Sequence, residues 1–228
     1  MSIAVAGSVP PGTREPCAEG GTVATDERLL VPGPHPAREG PGMHDPRELG
    51  AEVPLVERAF AFLDLCGFTR YMADHGEHAA IDAVTRFRAL TRRITTQRGV
   101  RTAKWLGDGA MIVGVDVGPT IAAAAEVIAR YDGRTLALRG GVAHGQVLLF
   151  DGDDYLGRPA NLAARLCQAA RPGELLAVGY PPDALPTWVA VAGRRDLTLR
   201  GIGRLKHVQQ LALVSDSNLP TLTAGPGS

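Results

Sequence analysis

Lysine and asparagine are almost missing from this 228-residue chain. Only Lys104 and Lys206 interrupt an otherwise all-arginine set of 24 basic residues, and only Asn161 and Asn218 are asparagines. An excess of either charge sign is missing too: 24 Asp and Glu balance the cations to a formal net charge of +0. That balance argues against a protein that coats nucleic acid or an anionic membrane surface, since both are approached through a basic excess. The three cysteines, Cys17, Cys66 and Cys167, are odd in number and lack metal-ligand spacing. No disulfide framework is expected, and a reducing cytoplasm is the predicted location. No run approaches the ~18 apolar residues of a membrane span, and the longest apolar-rich stretch, Ile121 to Ala129, contains Glu126. The first residues carry neither the basic nor the apolar region of a secretory leader.

What is present divides unevenly. Residues 1–54 hold 9 of the 17 prolines and 8 of the 28 glycines. Segments such as Pro32-Gly33-Pro34-His35-Pro36 form neither helix nor central strand and bury too little to offset ordering entropy. This stretch reads as a flexible tail, with Met43 an alternative start, and 215–228 as a second loose end. The folded domain is predicted over 55–214.

Within it, Arg58 to Leu65 reads as a strand. Ala80, Val84, Phe87, Thr91 and Ile94 carry helical spacing through Glu77 to Gln97. Val100 to Leu106 and Met111 to Val115 read as strands joined across Gly107-Asp108-Gly109, a hairpin signal. A helix is predicted from Pro119 to about Tyr131, then strands over Thr135 to His144 and Gln146 to Phe150. An acidic turn, a helix from Arg158 to Ala170 and shorter strands up to Val214 complete the pattern. Two β-α-β passes in one chain predict an α+β sandwich, ferredoxin-like or palm-like, with helices against a mostly antiparallel sheet.

Three segments carry the chemistry. In Phe62-Leu63-Asp64-Leu65-Cys66-Gly67-Phe68-Thr69 an apolar run delivers Asp64, and Gly67 permits a tight turn whose amides could face phosphate oxygens. Taken alone, Asp64 is as readily a carboxylate satisfying loop amides. In Lys104-Trp105-Leu106-Gly107-Asp108-Gly109, Asp108 alone is an ordinary hairpin-turn residue. Two acids at the ends of adjacent strands, however, suit Mg²⁺ ions, which favour carboxylate and phosphate oxygens. In the third segment, Asp154 to Leu166, Asn161 and Arg165 are four apart and share one helix face, with Asp154 just before it. Alone they read as a solvated stripe.

Together the segments resemble the catalytic domain of the class III nucleotidyl cyclases, the adenylate and guanylate cyclase family. The matching pieces are Phe-x-Asp-x-x-Gly-Phe-Thr at 62–69, Lys-x-x-Gly-Asp-Gly at 104–109 and Arg-Gly-Gly-x-x-His-Gly at 139–145. Gly-x-x-x-Asn-x-Ala-x-Arg-Leu at 157–166 and Leu-Arg-Gly at 199–201 follow in family order. Any one is weak; five in order make a specific signature.

The resemblance implies a set of roles. Asp64 and Asp108, with the Leu65 carbonyl, would hold two Mg²⁺ or Mn²⁺ ions. Amides around Phe68 and Thr69 would cradle phosphates. Asn161 would orient the ribose and Arg165 would stabilise charge on the phosphoryl group during in-line attack by the ribose 3′-OH. Lys104 and Asp154 would read the base. Adenine offers an acceptor at N1 and a donor at N6, matching a cation and a carboxylate, whereas guanine reverses both. ATP is therefore the expected substrate, with cyclic AMP and pyrophosphate as products. In this family the metal aspartates come from one protomer and the base, ribose and phosphoryl residues from the other, so a head-to-tail homodimer is implied. The alternative is a catalytically silent nucleotide-binding interaction module of the same fold; a palm-like dinucleotide cyclase is more remote.

Some residues depart from the pattern or invite other roles. Many members carry Leu-Lys-Gly where this chain has Leu199-Arg200-Gly201. Arg200 keeps the charge for the terminal phosphates but presents a fork rather than a point, and Lys206 is a second candidate. Trp105 reads as a core aromatic beneath the hairpin and His144 as structural. His75, Glu77 and His78 make a poor zinc site. Cys66 would make the site oxidation-sensitive only if its thiol were acidified.

Overall fold

The computed structural model describes residues 54–131, 136–150 and 154–214. The two tails read from the sequence, with Cys17 and Met43, lie outside these residues, Pro54 excepted.

Strand β1 (Leu55–Leu65) is three residues longer than its apolar run predicts, and both its faces pack. Ala59, Ala61, Leu63 and Leu65 enter one core cluster, and Phe60 and Phe62 enter another on the opposite side. Helix α1 (Phe68–Gln97) starts well before the predicted Glu77. Of the expected stripe, Ala80, Phe87, Thr91 and Ile94 are buried and Val84 is partly buried, and Ala83, Phe87 and Ile94 enter the first cluster. Gly76, at φ 85°, kinks the helix between the two parts. The early turns carry little apolar patterning, which is why periodicity overlooks them.

Strands β2 (Arg101–Leu106) and β3 (Gly109–Gly114) form the predicted hairpin around Asp108. Helix α2 (Val117–Arg130) is buried on nearly every side from Thr120 to Val127. It accommodates one charge there, Glu126, at 1% exposure. Arg98 donates to Glu126 Oε2 through Nε at 2.9 Å and Nη2 at 2.6 Å, and Arg130 Nε donates to Oε1 at 2.7 Å. This triad ties the end of α1 to α2.

Strand β4 (Leu138–Phe150) is one strand where two were expected. Its ladder with β1 runs unbroken from Leu65↔Leu138 to Leu55↔Leu148, so Gly145 does not end it. The segment read as an acidic turn contains a short strand, β5 (Asp154–Leu156), paired with the end of β4. Helix α3 (Arg158–Ala169) lies directly on β4. A side chain at Gly141 would stand 2.3 Å from both the Ala163 carbonyl oxygen and the Cys167 nitrogen. The paired glycines of the 139–145 motif therefore serve packing.

Strand β6 (Leu175–Val178) runs parallel to β4, and β7 (Val189–Leu199) with β8 (Gly203–Leu213) forms a long hairpin. Its length exceeds the short strands expected because one face of β7 is polar and exposed at Arg194, Asp196 and Thr198. The sheet order is β2-β3-β1-β4-β6-β8-β7, with β5 attached to β4. Helices α1 and α2 cover one face and α3 the other, which is the expected α+β sandwich. Among the described residues no helix is long and apolar enough to cross a membrane.

Glu126 is the shared counter-ion of two arginines in a mostly buried position. Glu126→Ala is expected to lower the unfolding free energy by about 3 kcal/mol, measured by urea denaturation. A loss well below this would mean that water reaches the triad.

Candidate active site

Strand β1 carries Asp64 on the same face as Phe60 and Phe62, at the end of the strand that the last turns of α3 stand over. In register it stands between Gly109 on β3 and Arg139 on β4. The β2–β3 turn beside it presents Asp108, and the Leu65 N–H donates to the Asp108 carbonyl at 3.4 Å. The two acids predicted to act together are thus neighbours. Burial raises the Asp108 carboxyl above the usual range; its own backbone hydrogen bond lowers it, the Asp64 charge raises it, and Arg139 lowers it.

Arg139 has the most contacts in this site and is the residue that the sequence reading left without a role. Its Nε and Nη2 donate to the same Asp64 oxygen, Oδ2, at 2.9 and 2.6 Å. Its Nη1 donates to the Gln168 carbonyl on α3 at 3.2 Å. Burial pulls the guanidinium down, but the hydrogen bonds and charge of Asp64 outweigh it and leave it raised. The arginine stood inside the quoted motif. Only the β1–β4 register reveals that it lies opposite Asp64.

The second oxygen, Oδ1, faces the turn. It lies 3.6 Å from where a side chain on Gly109 would begin, while the Leu63 carbonyl oxygen lies only 2.9 Å from that point, so glycine there serves the close approach of β3 to β1. Asp64, Gly109 and Arg139, with Leu106, Ala164 and Gln168, line a hollow of about 300 Å³. Among the described residues no group of three or more His, Cys, Asp or Glu side chains could hold a metal. Two carboxylates beside an open hollow fit a magnesium-like ion, which keeps waters and takes phosphate oxygens rather than filling a protein cage.

Gly67, at φ 74°, turns the chain from β1 into α1, and no side chain caps that helix. The first-turn amides, including those of Phe68 and Thr69, therefore lack a side-chain cap. A helix N-terminus of this kind favours anions.

The pair expected to read the base, Lys104 and Asp154, meets as well. Lys104 Nζ on β2 and Asp154 Oδ1 on β5 form an ion pair, with both side chains about half exposed. Tyr155 steadies β5 by packing edge-on against Phe60, with ring centroids 5.3 Å apart. Asn161 is exposed on α3, and Arg165 Nη1 donates to Gln168 Oε1 at 2.8 Å. Arg200 and Lys206 are exposed on the β7–β8 hairpin. Strand β7 lies four ladder positions from β1, or roughly 19 Å across the sheet. Among the described residues, no hydrogen bond or ion pair joins Lys104, Asp154, Asn161, Arg165 or Arg200 to Asp64 or Asp108.

The remaining candidates settle individually. Trp105 packs on the core, edge-on to Phe87 and within 5.2 Å of both the Arg88 and Arg92 guanidiniums. His144 sits mid-strand opposite Ala59. His75 is exposed and stacks on Tyr71. The acidified thiol required for a sensitive Cys66 is not found. Burial pushes Cys66 up, against a smaller opposing effect of Arg139, and burial drives Cys167 to about 12.

No family model matches the chain. Over 155 residues it is 37% identical to an uncharacterised protein of Mycobacterium tuberculosis, covering 67% of this chain and 40% of that one. It is 34% identical over 176 residues to a pH-sensitive adenylate cyclase of the same species, covering 72% and 44%. The chain thus spans less than half the length of the curated relatives it matches. Among solved structures, an adenylyl cyclase from P. aeruginosa superposes with a TM-score of 0.60 at 21% identity, covering 75% of this chain and 100% of that one. A guanylyl cyclase superposes with a TM-score of 0.60 at 18% identity, covering 75% and 98%. The described domain has the class III nucleotidyl cyclase catalytic fold.

The raised Asp108 carboxyl has a consequence for stability. Below the ordinary carboxylate range it is protonated folded or unfolded and contributes nothing; as pH rises through the interval up to its raised value, its ionisation costs the fold stability. Asp108→Asn is therefore expected to melt higher than the wild type at pH 7, with the difference vanishing at acid pH. Thermal melts across pH check this, and a lower melting temperature at pH 7 would contradict the stated burial.

Proposed function

We propose that the chain carries an adenylate cyclase unit, which converts ATP to 3′,5′-cyclic AMP and pyrophosphate. The observation that carries this reading is the placing of Asp108, on the β2–β3 turn, beside Asp64 at the edge of the hollow that Asp64 lines. Specificity for adenine rests on Lys104 and Asp154, which sit side by side as one cationic donor and one carboxylate acceptor. That pair matches adenine N1 and N6, whereas guanine would set like against like at both positions.

Asp64 and Asp108, with the Leu65 carbonyl, would hold two Mg²⁺ or Mn²⁺ ions. Bound there, such ions supply the acidity that turns the ribose 3′-OH into a nucleophile and the charge that offsets the triphosphate. The chain's own groups do the rest. First-turn amides at Phe68 and Thr69 hold phosphate oxygens, Asn161 fixes the ribose, and Arg165 balances charge building on the α-phosphoryl group. Arg200 or Lys206 meets the terminal phosphates.

The site is read as composite, shared by a head-to-tail homodimer. Two observations support this. The ~300 Å³ hollow beside Asp64 is at the small end of small-molecule sites, and Asn161, Arg165 and Arg200 are not joined to it. Leu55, Leu148 and Leu156 also align across three strands with substantial exposure, as an apolar contact would require.

One observation favours the silent-module reading: Asp64 is already neutralised by Arg139. A cyclase assay separates the two. Cyclic AMP should form from ATP with Mn²⁺, at a specific activity that falls on dilution as a dimer dissociates. Asp64→Ala and Asp108→Ala should each abolish turnover, while Lys104→Glu should mainly erode the preference for ATP over GTP. ATP that binds and is recovered unchanged would favour the silent module instead.

A further inference from the structure

We infer that Arg139 is a displaceable counter-ion that keeps Asp64 from a divalent cation until the guanidinium is drawn away. The inference rests on the reading of Asp64 and Asp108 as cation ligands, and it goes beyond that reading by assigning the site a built-in competitor.

Three features carry it. Both Arg139 donors that reach Asp64 converge on the single oxygen Oδ2, at 2.9 and 2.6 Å, leaving Oδ1 on the side of Gly109 without an Arg139 donor. A carboxylate engaged this way has one oxygen available to a cation and carries a neighbouring positive charge. The pair is also only partly enclosed, with the two side chains 29% and 28% exposed, so it can open without unpacking the core. Finally, the third Arg139 donor is anchored to the Gln168 carbonyl of α3, which holds the guanidinium over the hollow instead of letting it swing into solvent.

The electrostatics fix the direction of the effect. With Arg139 engaged, Asp64, Asp108 and Arg139 sum to a charge of about −1; once it is withdrawn, the two carboxylates present about −2 to an incoming ion. A polyanion entering the hollow offers Arg139 an alternative partner. Cation affinity at Asp64 and anion affinity at Arg139 therefore rise together, and by linkage each ligand strengthens the other by the same factor. Arg139 acts through Asp64 in this respect, as a positioning residue.

The test is Mn²⁺ uptake by nucleotide-free protein, followed through the free-ion paramagnetic resonance signal. Arg139→Gln should bind Mn²⁺ at least about tenfold more tightly than the wild type. Arg139→Lys, which keeps the charge but loses the fork, should stay near the wild type. Adding Asp108→Asn to Arg139→Gln should remove the gain. Equal affinity in wild type and Arg139→Gln, with both weakened by Asp108→Asn, would overturn the counter-ion while leaving the carboxylate site intact. Failure of every form to take up Mn²⁺ would overturn the metal reading and the inference with it. A second measurement needs no variant and covers a misfolded Arg139→Gln. The Arg139 Nε–H resonance of the wild type should shift as Mg²⁺ is added, and a resonance that stays fixed while the Asp108 turn responds would likewise overturn the inference.

Discussion

Strand β1 must be buried on both faces, and much of the rest follows from that constraint. Its alternating side chains supply two core clusters, so helices are needed above and below the sheet. Helices α1 and α2 fill one side and α3 the other. Flanked by β3 and β4, the strand has no freedom to shift, because a slip of one residue would exchange its two core faces. Asp64, at its end, inherits that rigidity. A carboxylate held by a central strand is a better fixed point for chemistry than one on a loop.

Glycine governs how closely the layers approach that point. Gly141 lets α3 rest on the β4 backbone, which brings Gln168 to Arg139 and Arg139 to Asp64. Gly109 lets β3 approach the Leu63 carbonyl next to Asp64, and Gly67 swings the chain into α1 just beyond the end of β1. The motif glycines thus do three separate jobs around one aspartate.

Charge in this protein is arranged in local pairs, in keeping with a net charge of zero. Glu126 with Arg98 and Arg130, and Glu174 with Arg195, are largely buried and join elements of the fold. Asp64 with Arg139 and Lys104 with Asp154 are more exposed and lie where the proposed chemistry takes place. The first kind is structural because breaking it strands a buried charge. The second kind is exchangeable, since solvent and an incoming ligand can replace the partner.

The sequence alone determined the order of motifs, the hairpin at Asp108, the helical stripe of α1 and the identity of Lys104 and Asn161 as near-unique residues of their types. These are local or compositional properties, legible because glycine, aspartate and apolar spacing act over a few residues. It did not reveal the early turns of α1, the continuity of β4 through Gly145, the short strand β5 or the partner of Asp64. Each of those depends on contacts between distant segments: a ladder with β1 holds β4 together, and pairing with β4 creates β5. The meeting of Lys104 with Asp154, fifty positions apart, and of Asp64 with Arg139, seventy-five apart, was decided only by tertiary structure, because strand register is a property of two strands at once.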